Sequence, residues 1–186
     1  MKGVVFNLLQ TAVTDAHGAD AWDDLLDVAG VGGAYTSLGS YDDAELEALV
    51  AAAAAKLSLS RDEVLRWFGR EAIPILARLY PHLFAHPSAK PFVSGVNDVI
   101  HAEVRKLYPG ALCPHFRIRD TADGGLSLLY QSPRRMCALA QGFVEGAAAW
   151  FCETVEVDHL SCVGDGDACC EFDIRWMETG DHAAAA

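Results

Sequence analysis

Leu126-Ser127-Leu128-Leu129-Tyr130-Gln131-Ser132-Pro133-Arg134 is the stretch on which the reading of this chain turns. Leu126, Leu128 and Tyr130 recur at every second position, the period of a strand with one buried face. At Tyr130-Gln131-Ser132-Pro133-Arg134 the strand gives way to a helix. In extended backbone, residues i, i+2 and i+4 point the same way. The Tyr130 and Ser132 hydroxyls and the Arg134 guanidinium are therefore expected to converge as three donors on one anionic group. A carboxylate suits them, because arginine grips it with a two-pronged fork. Taken alone, the same residues also read as a strand-end tyrosine, an N-cap serine and a solvated arginine.

Working outward, Phe116 and Ile118 alternate with Arg117 and Arg119 before the turn Asp123-Gly124-Gly125, so the quoted strand is the return arm of a hairpin. An apolar helix is predicted from about Arg134 to Phe151. Val155, Val157 and His159 alternate in a third strand. Gly164-Asp165-Gly166-Asp167 turns into a fourth, carrying Cys170, Phe172, Ile174 and Trp176. Upstream the period is helical. Phe6, Leu8, Leu9 and Val13 mark one segment, and Trp22, Leu25, Leu26 and Val28 a second. Asp43 to Leu57 is Ala- and Leu-rich, with acidic residues in its first turn. Ser60-Arg61-Asp62-Glu63 has the form of a capping box. Further helices are expected from Glu71 to about Tyr80, with Pro74 early enough to be tolerated, and from about Phe92 to Leu107. The fold class is α+β: a mostly helical N-terminal part and a C-terminal four-stranded antiparallel sheet with helices. One domain over 1–178 is expected, helical over about 1–110 and α+β over about 111–178, with a disordered tail at 179–186.

The length of 186 residues suits one domain with a sizeable core. A net charge of −12 repels phosphate backbones and makes nucleic acid and anionic membranes poor partners. No apolar run approaches the roughly 20 residues that span a bilayer. The opening Met1-Lys2-Gly3-Val4-Val5-Phe6-Asn7 lacks the form of a signal peptide, so a cytoplasmic location is expected. Six cysteines in a reducing compartment read as thiols or metal ligands.

Two further sets carry chemistry. Helical counting from His101 puts Asn97 and Val104 on its face, flanked by Ile100 and Leu107. A histidine so placed has the form of an axial haem ligand; the alternative is a core histidine with a satisfied hydrogen bond. His159, Cys162 and Cys170 offer three zinc-type ligands, and Cys137 lies in the helix after the arginine. Alternation turns Cys169 away from this set. The alternative is a group of small buried thiols. Cys113 and Cys152 are read as packing residues.

A helix histidine, then Pro114 thirteen residues on, then Tyr-x-Ser-x-Arg resembles the haem nitric oxide/oxygen binding (H-NOX) family, from the Met-Lys-Gly opening to about Trp176. The resemblance implies haem b between the helical part and the sheet, with His101 as proximal iron ligand. Tyr130, Ser132 and Arg134 would clamp its propionates, and Pro114 would distort the porphyrin. The position where oxygen-holding members place a distal tyrosine, nine residues after the motif tyrosine, is Leu139. The other expected distal residues, Val5, Leu9, Ala72, Leu76 and Phe143, are also apolar. Such a pocket favours nitric oxide and carbon monoxide over stable oxygen, which wants a donor. The resemblance also implies a structural zinc at Cys137, His159, Cys162 and Cys170. It implies a sensor without catalytic activity, in which nitric oxide weakens or breaks the iron–His101 bond. A monomer is expected, signalling in trans to a histidine kinase or a cyclic-dinucleotide enzyme. Two rival classes are a haem enzyme, which needs a polar distal acid/base or a thiolate ligand, and a zinc-stabilised interaction or redox-sensing domain without haem.

Overall fold

Each half of the chain folds by the period of its apolar residues in the computed structural model, which describes residues 1–177. The expected tail at 179–186 lies outside them. The helical half comprises α1 (Gly3–His17), α2 (Ala19–Ala29), α3 (Asp43–Leu57) and α4 (Arg61–Leu79), followed by α5 (Ala89–Ser94) and α6 (His101–Leu107). Strands β1 (His115–Asp120) and β2 (Leu126–Gln131) come next, then α7 (Cys137–Trp150), β3 (Thr154–Ser161) and β4 (Cys170–Met177). The sheet is antiparallel in the order β1-β2-β4-β3. None of the helices among the described residues is long and apolar enough to cross a membrane.

The local signals explain most boundaries. Asp42 caps α3 by accepting from the Ala44 N–H. At α4, Ser60 and Glu63 form the reciprocal capping box. Three expected helices are corrected. The segments either side of Glu71 are one helix, α4, with Pro74 in its interior. Pro74 has no N–H for the Arg70 carbonyl. That carbonyl instead faces α7, so close that a Cβ at Gly146 would lie 2.8 Å from its oxygen. The Phe92–Leu107 helix is interrupted: α5 ends at Gly95, a π-helical turn spans Val96–Ile100, and α6 begins only at His101. The last helix starts at Cys137 rather than Arg134, because Arg135 sits in the left-handed region at φ 51° and breaks the entry.

Helix α7 divides the interior. Ala138 and Leu139 join a core with Phe6, Leu9, Trp22, Leu46, Leu65 and Phe68. Cys137, Ala140, Val144 and Ala147 join a second, built on the inner sheet face by Leu126, Leu128, Phe172 and Ile174. Glycines permit this intimacy. A Cβ at Gly142 would lie 2.1 Å from the Arg66 carbonyl oxygen, and one at Gly69 would lie 2.5 Å from that of Leu139. Helices α4 and α7 thus meet backbone to backbone.

Candidate functional site

Between the two cores lies a cavity of about 300 Å³, walled by α1, α4, α5, α6, α7, β1 and β2. Its walls are almost wholly apolar. His101 enters from the first residue of α6, its ring stacked near Phe116 with centroids 5.7 Å apart. Its Nδ1 is fully buried and has no hydrogen-bond partner. Burial, and next the Arg105 charge, draw its pKa down to about 4 against an opposing pull from the Pro114 backbone, so the imidazole is neutral at pH 7. A neutral imidazole with a buried, unpartnered nitrogen has the form of a metal ligand.

Asn97 does something other than line that cavity. Its amide donates to the Phe116 carbonyl at 2.5 Å and accepts the Phe116 N–H at 3.2 Å, as a neighbouring strand would. The π-turn rotates it away from the His101 face that regular helical counting predicted, and it docks α6 onto β1.

Tyr130, Ser132, Arg134 and Pro114 all line the cavity. The first three converge as expected but by a different route. The strand ends at Gln131, and a turn brings Arg134 round. Ser132 Oγ accepts the Arg134 N–H at 3.2 Å, and the Tyr130 hydroxyl accepts the Met136 N–H at 3.2 Å. Each hydroxyl keeps its own proton as a donor. Arg134 is held by Asp43, 2.8 Å from Nε, and by the Leu112 carbonyl, 2.7 Å from Nη1. The cavity is therefore a greasy slot with one imidazole inside and a cationic, hydroxyl-bearing corner. That donor set fits a flat apolar macrocycle bearing an axially liganded metal and carboxylates.

A model of the haem-NO-binding family matches residues 2–159. The chain belongs to that family. Solved H-NOX structures overlay on it closely. A crystal structure of an H-NOX protein from S. oneidensis in the Fe(II)NO state is 31% identical, with TM-score 0.89, covering 95% of this chain and 99% of that one. The solution structure of the Shewanella oneidensis H-NOX domain in the Fe(II)CO state is 31% identical, with TM-score 0.86, covering 96% and 99%. The Fe(II) unliganded H-NOX protein from K. algicida is 26% identical, with TM-score 0.84, covering 96% and 97%. H-NOX proteins are haem-based gas-sensor domains, and this chain shares their α+β fold.

Of the expected distal residues, Val5, Leu76, Leu139 and Phe143 line the cavity. Leu9 and Ala72 do not. Leu9 lies a helical step beyond the cavity-facing Leu8 and packs in the N-terminal core. Ala72 is fully buried and packs in the same core. Phe68, Ile73 and Tyr80 were not anticipated. Phe68 and Leu76 lie two i, i+4 steps apart on one face of α4, which the expected break at Glu71 concealed, and Tyr80 follows directly as the residue that caps the helix. Cys113 also lines the cavity beside Pro114, where burial pushes its thiol pKa up. Cys152 is exposed, at φ 57° just beyond α7. Neither is the packing thiol expected.

Cys137, His159, Cys162 and Cys170 come together: their ligand atoms all lie within 4.8 Å of one another. Cys162 Sγ is 3.7 Å from Cys137 Sγ and 3.9 Å from Cys170 Sγ. Backbone N–H groups of Val163 and Gly164 donate to Cys170 and Cys162. Burial, and then the neighbouring thiols, hold the Cys137 pKa high. His159 stacks on Phe172 at 4.2 Å. Cys169 stays outside the group, its carbonyl accepting from Ser161.

Proposed function

We propose that this chain is a nitric oxide sensor that holds haem b through His101 and reports to a separate protein. The observation that carries the reading is the buried, unpartnered His101 nitrogen in an otherwise apolar cavity. When bound, the haem supplies a ferrous iron at which nitric oxide and carbon monoxide bind, and nitric oxide weakens the bond to the histidine. His101 is the proximal ligand, neutral at physiological pH. Tyr130, Ser132 and Arg134 would hold its propionates, with Arg134 positioned by Asp43. Pro114, which lines the same cavity, would pack against the macrocycle. Val5, Leu76, Leu139 and Phe143 exclude water and offer no donor to a bound diatomic, which disfavours stable oxygen. Cys137, His159, Cys162 and Cys170 form a closed structural zinc site, since three thiolates and an imidazole leave no coordination position for activated water.

Visible absorption of the anaerobically reduced protein, before and after nitric oxide and separately in air, tests this. A five-coordinate ferrous spectrum that becomes five-coordinate nitrosyl, with no long-lived oxygen complex in air, is expected. A colourless protein that takes up no haem would overturn it.

A further inference from the structure

Tyr80 and Tyr108 meet at the edge of the cavity with their hydroxyl oxygens 2.5 Å apart. Tyr108 is 7% exposed, and Tyr80 lines the cavity wall. We propose that this hydroxyl pair is the tie between α6 and α4 that positions His101 against a haem iron, setting the strain on their bond and carrying its loss into α4. The inference rests on the haem reading above and assigns positioning roles to Tyr80 and Tyr108.

Each tyrosine is the first residue beyond its helix. Tyr80 follows Leu79 of α4 and Tyr108 follows Leu107 of α6. Both leave helical geometry, yet each keeps its N–H bonded back into the last turn, to Leu76 and Val104, at 2.8 Å. Their rings are thus rigid extensions of the helix ends. Helix α6 runs only seven residues from His101, about 10 Å at 1.5 Å per residue. A stub that short moves as one body.

The two ends of this body are held differently. Upstream, Asn97 pins the π-turn to β1 through Phe116. A π-turn is the weaker part of a helix and accommodates change in register. Downstream, the body is joined to α4 by the tyrosine pair. The other residues the two helices present to the cavity, Phe68, Ile73, Leu76, Val104 and Leu107, are apolar and hold no direction. A short hydroxyl bond does, and a half-buried hydroxyl deprived of its partner is left unsatisfied, so the pair resists parting. A displacement of His101 is therefore delivered to the C-terminal end of α4, while the sheet side stays anchored. Burial, followed by the bond to Tyr80, also raises the pKa of Tyr108, so its hydroxyl keeps its proton.

The test uses the haem-loaded protein and three variants, Tyr80→Phe, Tyr108→Phe and the double substitution, each keeping its ring. Resonance Raman of the ferrous form reads the iron–histidine stretch. Amide exchange at residues 76–79 is read with and without nitric oxide. The stretch is expected to shift equally in all three variants, since either phenylalanine breaks the same tie. The nitric oxide-dependent change in exchange seen in the parent is expected to be lost in each. An unmoved stretch with a lowered melting temperature would show the pair to be structural only and overturn the inference, leaving the haem reading intact. A parent protein that takes up no haem would overturn both.

Discussion

At position 139 the proposed preference among diatomics rests on a single side chain. Leu139 lines the cavity and offers no hydrogen bond. Bound oxygen carries partial negative charge and nitric oxide does not need a donor. Leu139→Tyr is expected to create an oxygen complex stable for minutes in air, detected by its visible spectrum, while nitric oxide still binds. Tyr35 illustrates residue-scale electrostatics away from the cavity. It stacks on Phe6 and donates to Glu45 at 3.0 Å; burial first, then that carboxylate, push its pKa up to about 12. The folded state therefore keeps a proton that the unfolded chain releases near pH 10. The stabilisation is complete below pH 10 and disappears as pH rises toward 12. Tyrosinate absorbance at 295 nm should show several tyrosines titrating late, one of which Tyr35→Phe removes, and the same substitution should flatten the fall in stability over that window. Neither a stacked aromatic partner nor the Tyr35–Glu45 contact is visible in sequence, because both depend on α1, α3 and the intervening loop meeting.

Elements were legible wherever one rule acted alone. The α3 boundaries follow from acidic residues in the first turn and an alanine-rich run, and Ser60-Arg61-Asp62-Glu63 announces α4 by its capping box. They failed where tertiary contact overrode local preference. A new helix was expected to start at Glu71, with Pro74 in its first turn, yet α4 runs unbroken through both, α7 packing over the freed Arg70 carbonyl. The His101 helix was predicted as regular, yet the Asn97–Phe116 bonds are accompanied by a π-turn that no periodicity encodes. The same interface yields a sharp expectation. A methyl at Gly142 would sit 2.1 Å from the Arg66 carbonyl oxygen, a contact that only helix separation can relieve. Gly142→Ala should cost about 1–3 kcal/mol by urea unfolding, the range for overpacked cores. Alanine at Gly18, where a Cβ would meet nothing within 4 Å, involves no such clash and serves to separate packing from backbone strain.

For the molecule as a whole, both cores share α4 and α7, and the Cys137–His159–Cys162–Cys170 group brings the first turn of α7 together with β3 and β4. If the group holds zinc, the metal cross-links α7 to the far side of the sheet. Metal analysis of the purified protein is expected to find one zinc per chain. Cys162→Ser should lose it and lower the melting temperature; retention of zinc by this variant would exclude the assignment. Spacing and alternation pointed to His159, Cys162 and Cys170 and turned Cys169 away, and the family resemblance added Cys137. What spacing could not say is that four residues spread over 34 positions share one point within 4.8 Å, which needed the antiparallel register of β3 and β4.

The sequence by itself determined the α+β division and the four strands with their turns, because these rest on local period, and it set His101, Pro114, Tyr130, Ser132 and Arg134 together through the family resemblance that their spacing carries. It also determined the apolar character of the cavity, since Val5, Leu76, Leu139 and Phe143 have no polar atom to offer. Only the tertiary structure decided that Leu9 and Ala72 stay out of that cavity, and that Tyr80, Phe68 and Cys113 enter it. It alone decided that Asp43 holds Arg134 from a helix 91 positions away, and that Tyr80 meets Tyr108. The physical reason is the same throughout. Period and propensity act over a few residues, whereas the rotation of a helix, the closeness of two backbones and the partner of a buried hydroxyl are fixed by packing among segments far apart in the chain.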